Sequence, residues 1–282
     1  MVKNPLTHFD GLSETYQHAK SSSIKKKSRQ NDKVNEYSGW TVPSSNYTLE
    51  RIDVTLLTPS DFYTQYIATR RPVILSGLQT TPEFASLFTK WSNMYLEQKM
   101  GKERIVKIET RTQAKEAFGQ GVQIEMTFGE FIKLMEKKDV HHYMTTQELG
   151  IHEETGMPEM MAASVAALSC DFPLRPKLMG NLLPQNINLW MGMAAKEGAS
   201  SGLHHDYHDN LYLLLRGKKT FRVYSPADTE KMLTRGVLEK VHSNGRINYV
   251  GESTTATGAD VQEEAKCRAA AAQQAAEQEV GK

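Results

Sequence analysis

Residues 186–193, 210–215 and 220–224 are apolar runs of strand length, and the glycine-containing segments between them leave little room for intervening helices. A chain that reverses this often builds an antiparallel β arrangement, because parallel strands need a long crossover connection. Upstream, the texture is mixed. Thr58-Pro59-Ser60-Asp61 reads as a helix start, with Thr as N-cap and Pro at the first helical position. Phe62, Tyr66 and Ile67 follow at helical spacing, and Arg70-Arg71-Pro72 closes that helix before the apolar run Val73-Ile74-Leu75. Thr127-Phe128-Gly129-Glu130 is a capping box that puts Phe128, Phe131, Ile132 and Met135 on one helical face. Residues 105–109 and 122–126 read as short strands, and 147–185 as connecting loops. The expected class is mainly β with flanking helices (α+β).

Three segments are expected. Residues 1–45 form a disordered basic leader, in which Ser21-Ser22-Ser23 runs into Lys25-Lys26-Lys27 with little apolar surface to bury. Residues 46–257 form the folded domain. Residues 258–282 form a solvated Ala/Glu/Gln-rich helix or part of an insertion, since little beyond alanine in them is available for burial.

Composition narrows the functional classes. Among 282 residues, 34 Lys+Arg face 33 Asp+Glu, a net charge of +1, so phosphate neutralisation alone does not make this a nucleic-acid binder. No run approaches the roughly 18 apolar residues of a membrane span. The N-terminus lacks the apolar stretch of a secretory signal. The two cysteines, Cys170 and Cys267, are too few for a disulfide framework. An intracellular location, cytoplasmic or nuclear, is expected.

The densest chemical signal is Leu203-His204-His205-Asp206-Tyr207-His208-Asp209-Asn210, which holds three of the nine histidines. On an extended segment, alternate residues share a face, so His204 and Asp206 bring an imidazole nitrogen and a carboxylate oxygen together. With a second histidine from elsewhere they would form the two-His, one-carboxylate triad that leaves open positions on Fe(II). Spacing alone does not decide this, since His152 and Glu154 repeat the pattern in an irregular region. A strand-end histidine bonded to its carboxylate is the plain structural alternative. A zinc-protease helix is excluded because His205 stands where that motif needs glutamate.

Asn188-Leu189-Trp190-Met191-Gly192, Ser201-Gly202-Leu203-His204-His205-Asp206, Asp209-Asn210-Leu211-Tyr212, Arg216-Gly217-Lys218-Lys219-Thr220-Phe221 and Ser225-Pro226 together resemble the first half of a JmjC (cupin-like) domain. The upstream helix, Thr127-Phe128-Gly129-Glu130-Phe131 and Tyr143 agree in order, so the resemblance covers about residues 50–250. It implies a double-stranded β-helix (jelly-roll/cupin) and an Fe(II)- and 2-oxoglutarate-dependent dioxygenase, above all a protein side-chain hydroxylase. A lysine demethylase and a truncated, non-catalytic binding module are the alternatives. It implies His204 and Asp206 as iron ligands and Lys219 as the cation for the far carboxylate of 2-oxoglutarate. Tyr143 and Ser201 are the implied hydroxyls for that carboxylate, and Asn210 a polar neighbour of the cosubstrate. The family's second histidine lies on a late strand. The only histidine beyond the cluster is His242, in the turn-like Lys240-Val241-His242-Ser243-Asn244-Gly245, and it is a poor candidate for third ligand. The expectation is therefore a domain incomplete on its C-terminal side, with open strand edges that a homo-oligomer or partner would cover. A protein substrate is implied; membrane and nucleic acid are not indicated.

Overall fold

The computed structural model describes residues 34–280 except 45, 46, 114–116, 120, 207, 235 and 253, and for 274–280 only the helical backbone. Residues 1–33, most of the expected leader, lie outside the described residues. Residues 34–40, read as its end, pack instead along a late hairpin. Val241 N donates to Val34 O (2.7 Å), and Glu36 N to Val241 O (2.8 Å).

Two elements carry the start signals expected of them. Helix α1 (Pro59–Phe62) is capped by Thr58, whose side chain accepts from Asp61 N while Asp61 reaches back to the cap. It continues as a π-helical turn, Tyr63–Ile67, and ends at Arg70, in the left-handed region at φ 60°. Helix α4 (Phe128–Glu136) has the same reciprocal cap between Thr127 and Glu130. Before them, β1 (Arg51–Asp53) pairs in parallel with β2 (Ile74–Ser76). Phe62, Tyr66 and Leu178 form a small apolar cluster with Leu57, Ile67, Val73 and Leu75 around it. Helices α2 (Ala85–Lys90) and α3 (Asn93–Met100) follow.

The central sheet is antiparallel, in the order β4-β3-β5-β6: β3 is Ile105–Thr110, β4 Val122–Thr127, β5 His142–Met144 and β6 Met191–Gly192. Its register sorts the side chains by face. Ile108 is opposite Ile124 and Met144, and Met144 opposite Met191. These residues, with Val106 and Met126, join the main core against Leu87, Leu96, Met100, Phe128, Phe131 and Ile132 of the helices. Burying each large side chain here contributes about 1.5–3 kcal/mol. On the opposite face, the same register aligns Gln123, Glu109, Tyr143 and Gly192.

Of the runs expected as strands late in the chain, only Met191–Gly192 enters a ladder. Residues 210–215 and 220–224 belong to no strand. Side chains of these segments nonetheless divide between two settings. Leu189, Met191, Leu213 and Leu215 pack on the core. Trp190 stacks on Tyr212 (5.8 Å between centroids), and Phe221 meets Tyr212 edge-on (5.1 Å). Apolar alternation fixes which side chains are buried; a ladder also needs a neighbour's backbone in register. Within the expected loop region, α5 (Ala163–Ala166) forms one short turn. A hairpin, β7 (Leu238–Val241) with β8 (Ile247–Tyr249), follows, and then helix α6 (Val261–Val280), largely exposed over residues 261–273. Among the described residues no helix is long and apolar enough to cross a membrane.

Candidate metal and cosubstrate site

His204 Nε2 lies 3.9 Å from Asp206 Oδ1. The remaining polar atoms of both side chains are engaged. His204 Nδ1 is 3.1 Å from Gly202 O. A carbonyl only accepts, so the neutral ring carries its proton on Nδ1 and leaves the Nε2 lone pair free. Asn210 Nδ2 donates to Asp206 Oδ2 (2.8 Å), leaving Oδ1 toward the histidine. Beside them, Arg70 Nη1 pairs with Asp209 (2.7 Å) and ties this segment to the end of the π-helical turn.

Two donors that each reach a first-row divalent ion at about 2.1 Å stand at most about 4.2 Å apart. At 3.9 Å His204 and Asp206 lie inside that trans limit but wider than the about 3 Å of donors at right angles on one ion, and the outer hydrogen bonds that fix a ligand's tautomer and orientation are already made. At 54% and 56% side-chain exposure, both are open to an incoming ion. Their donor types suit iron, and closing from 3.9 Å to about 3 Å would bring both onto one ion as neighbouring ligands. Among the described residues, no group of three His, Cys, Asp or Glu is arranged to hold a metal ion.

His242 follows β7 and is buried, with its amide bonded to Arg246 O (2.8 Å). Burial and Lys240 lower its pKa against the opposing influence of Thr254, Glu36 and Asn248. Its surroundings are thus those of the hairpin and its flanks.

The expected cosubstrate residues fall into two settings. Tyr143 projects from the non-core face of the sheet, its ring against Phe118 (4.6 Å). Burial, with Tyr212 and Glu109 nearby, pushes its pKa up to about 12, so at neutral pH it is a phenol able to donate to a carboxylate. Ser201 belongs to the same neighbourhood: Phe118 N donates to Ser200 O (2.7 Å), and a Cβ on Gly119 would lie 4.0 Å from Ser201 O. Tyr212 carries this face on to Phe221. Lys219, by contrast, is exposed, its ammonium 5.7 Å from the centre of the Phe221 ring. The burial expected for a carboxylate-anchoring lysine is absent. An ammonium on a flexible four-carbon stem gains more from water than from a half-covered aromatic face.

Sequence reasoning missed the support beneath Tyr143. Glu109 and Arg111 are buried at 5% and 3% exposure. Glu109 Oε1 accepts from Gly119 N (2.6 Å) and Gly121 N (2.8 Å), while the Arg111 guanidinium lies 4.1 Å over the Phe118 ring. The available signal was a lone acid in an apolar strand, followed by Phe118-Gly119-Gln120-Gly121.

The family model described as "Cupin-like domain" matches residues 59–280. This chain belongs to the cupin-like JmjC family. The cupin-like domain is 38% identical over 206 residues to JmjC domain-containing protein 4 of Schizosaccharomyces pombe, covering 70% of this chain and 42% of that protein. It is 24% identical to the human bifunctional peptidase and (3S)-lysyl hydroxylase JMJD7, over 61% of this chain and 52% of that protein. Lysine-specific demethylase 8 of Xenopus tropicalis is 27% identical over 61% of this chain and 35% of its own length. The chain thus spans about a third to a half of the length of these cupin-like JmjC relatives.

Proposed function

We propose that this chain is the Fe(II)- and 2-oxoglutarate-binding part of an oxygenase that hydroxylates a protein side chain. The observation that carries the reading is the convergence of His204 Nε2 and Asp206 Oδ1, with Gly202 and Asn210 engaging the other atoms of the pair. When bound, ferrous ion and 2-oxoglutarate supply the oxidising power to convert a C–H bond to an alcohol using dioxygen. The chain's own residues bind and orient. His204 and Asp206 hold the metal, Asn210 keeps the second carboxylate oxygen of Asp206 occupied, and Tyr143 offers a neutral O–H to an anionic cosubstrate, with Ser201 beside it. Trp190, Tyr212 and Phe221 wall that face with aromatic surface. The names of the human and frog relatives, a lysyl hydroxylase and a lysine-specific demethylase, support a protein substrate and keep demethylation as the nearest alternative chemistry.

A second reading, a non-catalytic binding module on the same scaffold, is favoured by the exposure of Lys219. One experiment separates the two. Succinate production from 2-oxoglutarate is measured with Fe(II) and ascorbate, for this chain and for His204→Ala. Metal-dependent turnover lost in the variant supports the oxygenase. A folded protein that binds no metal and turns over no 2-oxoglutarate supports the module.

A further inference from the structure

Glu109 and Tyr143 stand opposite each other on β3 and β5, on the face turned away from the core. One oxygen of the Glu109 carboxylate accepts two backbone N–H groups, from Gly119 and Gly121. Both glycines are suited to that grip. Gly119 has φ 95°, and a Cβ on Gly121 would lie 2.4 Å from Thr110 O. The loop so held delivers Phe118 to a layered stack, with the Arg111 guanidinium on one ring contact and Tyr143 on another. Its backbone also reaches the Ser200–Ser201 segment through Phe118 N.

We propose that Glu109 is a positioning residue: by gripping the glycine loop, it holds Phe118 against Tyr143 and fixes the phenol for the carboxylate it binds. The carboxylate half of this inference rests on the reading of Tyr143 given above; the positioning half does not. Removing the grip frees the loop, unstacks Phe118 and gives Tyr143 rotational freedom. The conservative change to glutamine keeps a carbonyl oxygen that can accept both N–H groups.

The test uses the full chain and two readouts. The first needs no ligand: nitration of Tyr143 by tetranitromethane, mapped by mass spectrometry. Glu109→Ala and Phe118→Leu each raise Tyr143 nitration several-fold, and the double variant raises it no further than Phe118→Leu alone. Glu109→Gln stays close to the parent, and Thr127→Ala, which weakens a remote helix cap, lowers the melting temperature without changing Tyr143 nitration. If Glu109→Ala loses its cooperative melt, Glu109→Asp, whose shorter arm does not span both amides, carries the same comparison. Unchanged nitration in folded Glu109→Ala or Glu109→Asp overturns the proposal. The second readout is calorimetric binding of 2-oxoglutarate with Mn(II), which Glu109→Ala and Tyr143→Phe each weaken about tenfold, as loss of a supporting partner does. If nitration responds but Tyr143→Phe leaves binding unchanged, or the parent binds no 2-oxoglutarate, the cosubstrate role of Tyr143 fails and the positioning of its ring by Glu109 stands.

Discussion

The ring of Tyr143 lies so close over Gly192 that a Cβ at position 192 would sit 2.3 Å from Tyr143 Cδ2. The two residues are register partners on β5 and β6, so the strand pairing that builds the sheet also forbids a side chain there. Gly192→Ala therefore displaces the ring or parts the strands, at a cost of about 1–3 kcal/mol. Urea unfolding measures it. In a strand with open space, the same change would stabilise, so the sign of the shift tests the contact.

His204→Ala separates binding from folding. Its side chain is more than half exposed, and its contacts are local. The expected outcome is at least about tenfold weaker Mn(II) binding by electron paramagnetic resonance, with a melting temperature within error of the parent.

Thr127→Ala tests the cap of α4, the helix that carries Phe128, Phe131 and Ile132 into the core. Loss of the hydroxyl that accepts Glu130 N costs about 1 kcal/mol. Serine at the same position keeps the acceptor and restores most of it, which chemical denaturation would resolve.

Acid sensitivity is expected from Asp171. Burial pushes its carboxyl pKa up, but hydrogen bonds from Lys90, Tyr95 and Trp91 outweigh that and leave it below the ordinary carboxylate value. A depressed folded pKa means that the stabilisation is fully present well above the unfolded value of about 3.9 and is lost as pH falls toward the folded one. Asp171→Asn lowers stability at neutral pH and flattens the acid limb of the pH–stability curve.

His242 acts in a higher window. Burial, then Lys240, lowers its pKa, so the folded state binds its proton less readily than the unfolded chain. Stability is complete above the unfolded value of about 6.5 and declines as pH falls through it toward the folded value. His242→Gln removes that part of the decline, seen as a smaller difference in urea midpoint between neutral and mildly acidic buffer.

Local chemistry was legible in the sequence. Thr58 and Thr127 announced their helices because a cap is a bond between residues three apart, whereas the late apolar runs were visible as runs but not as to which side chains the core takes up. The closeness of His204 and Asp206 was readable because they stand two positions apart. Lys219 was not, because whether a long cation is buried depends on what covers it. Glu109 was missed because a lone acid in a strand and a nearby Gly-x-Gly do not by themselves reveal that the carboxylate reaches the glycine amides. The α2 and α3 helices had no strong opening motif; their apolar residues show their role only in the assembled core.

Ser38 and Ser243, joined where residues 34–40 run beside β7, are 205 positions apart. During synthesis, the earlier strip must wait for the intervening stretch, 205 positions long, to emerge before its mate exists. Closing so large a loop is entropically late, and such distant pairings slow folding. This seam forms late relative to the local helices and hairpins it joins, and until then the earlier strip stays exposed to chaperones.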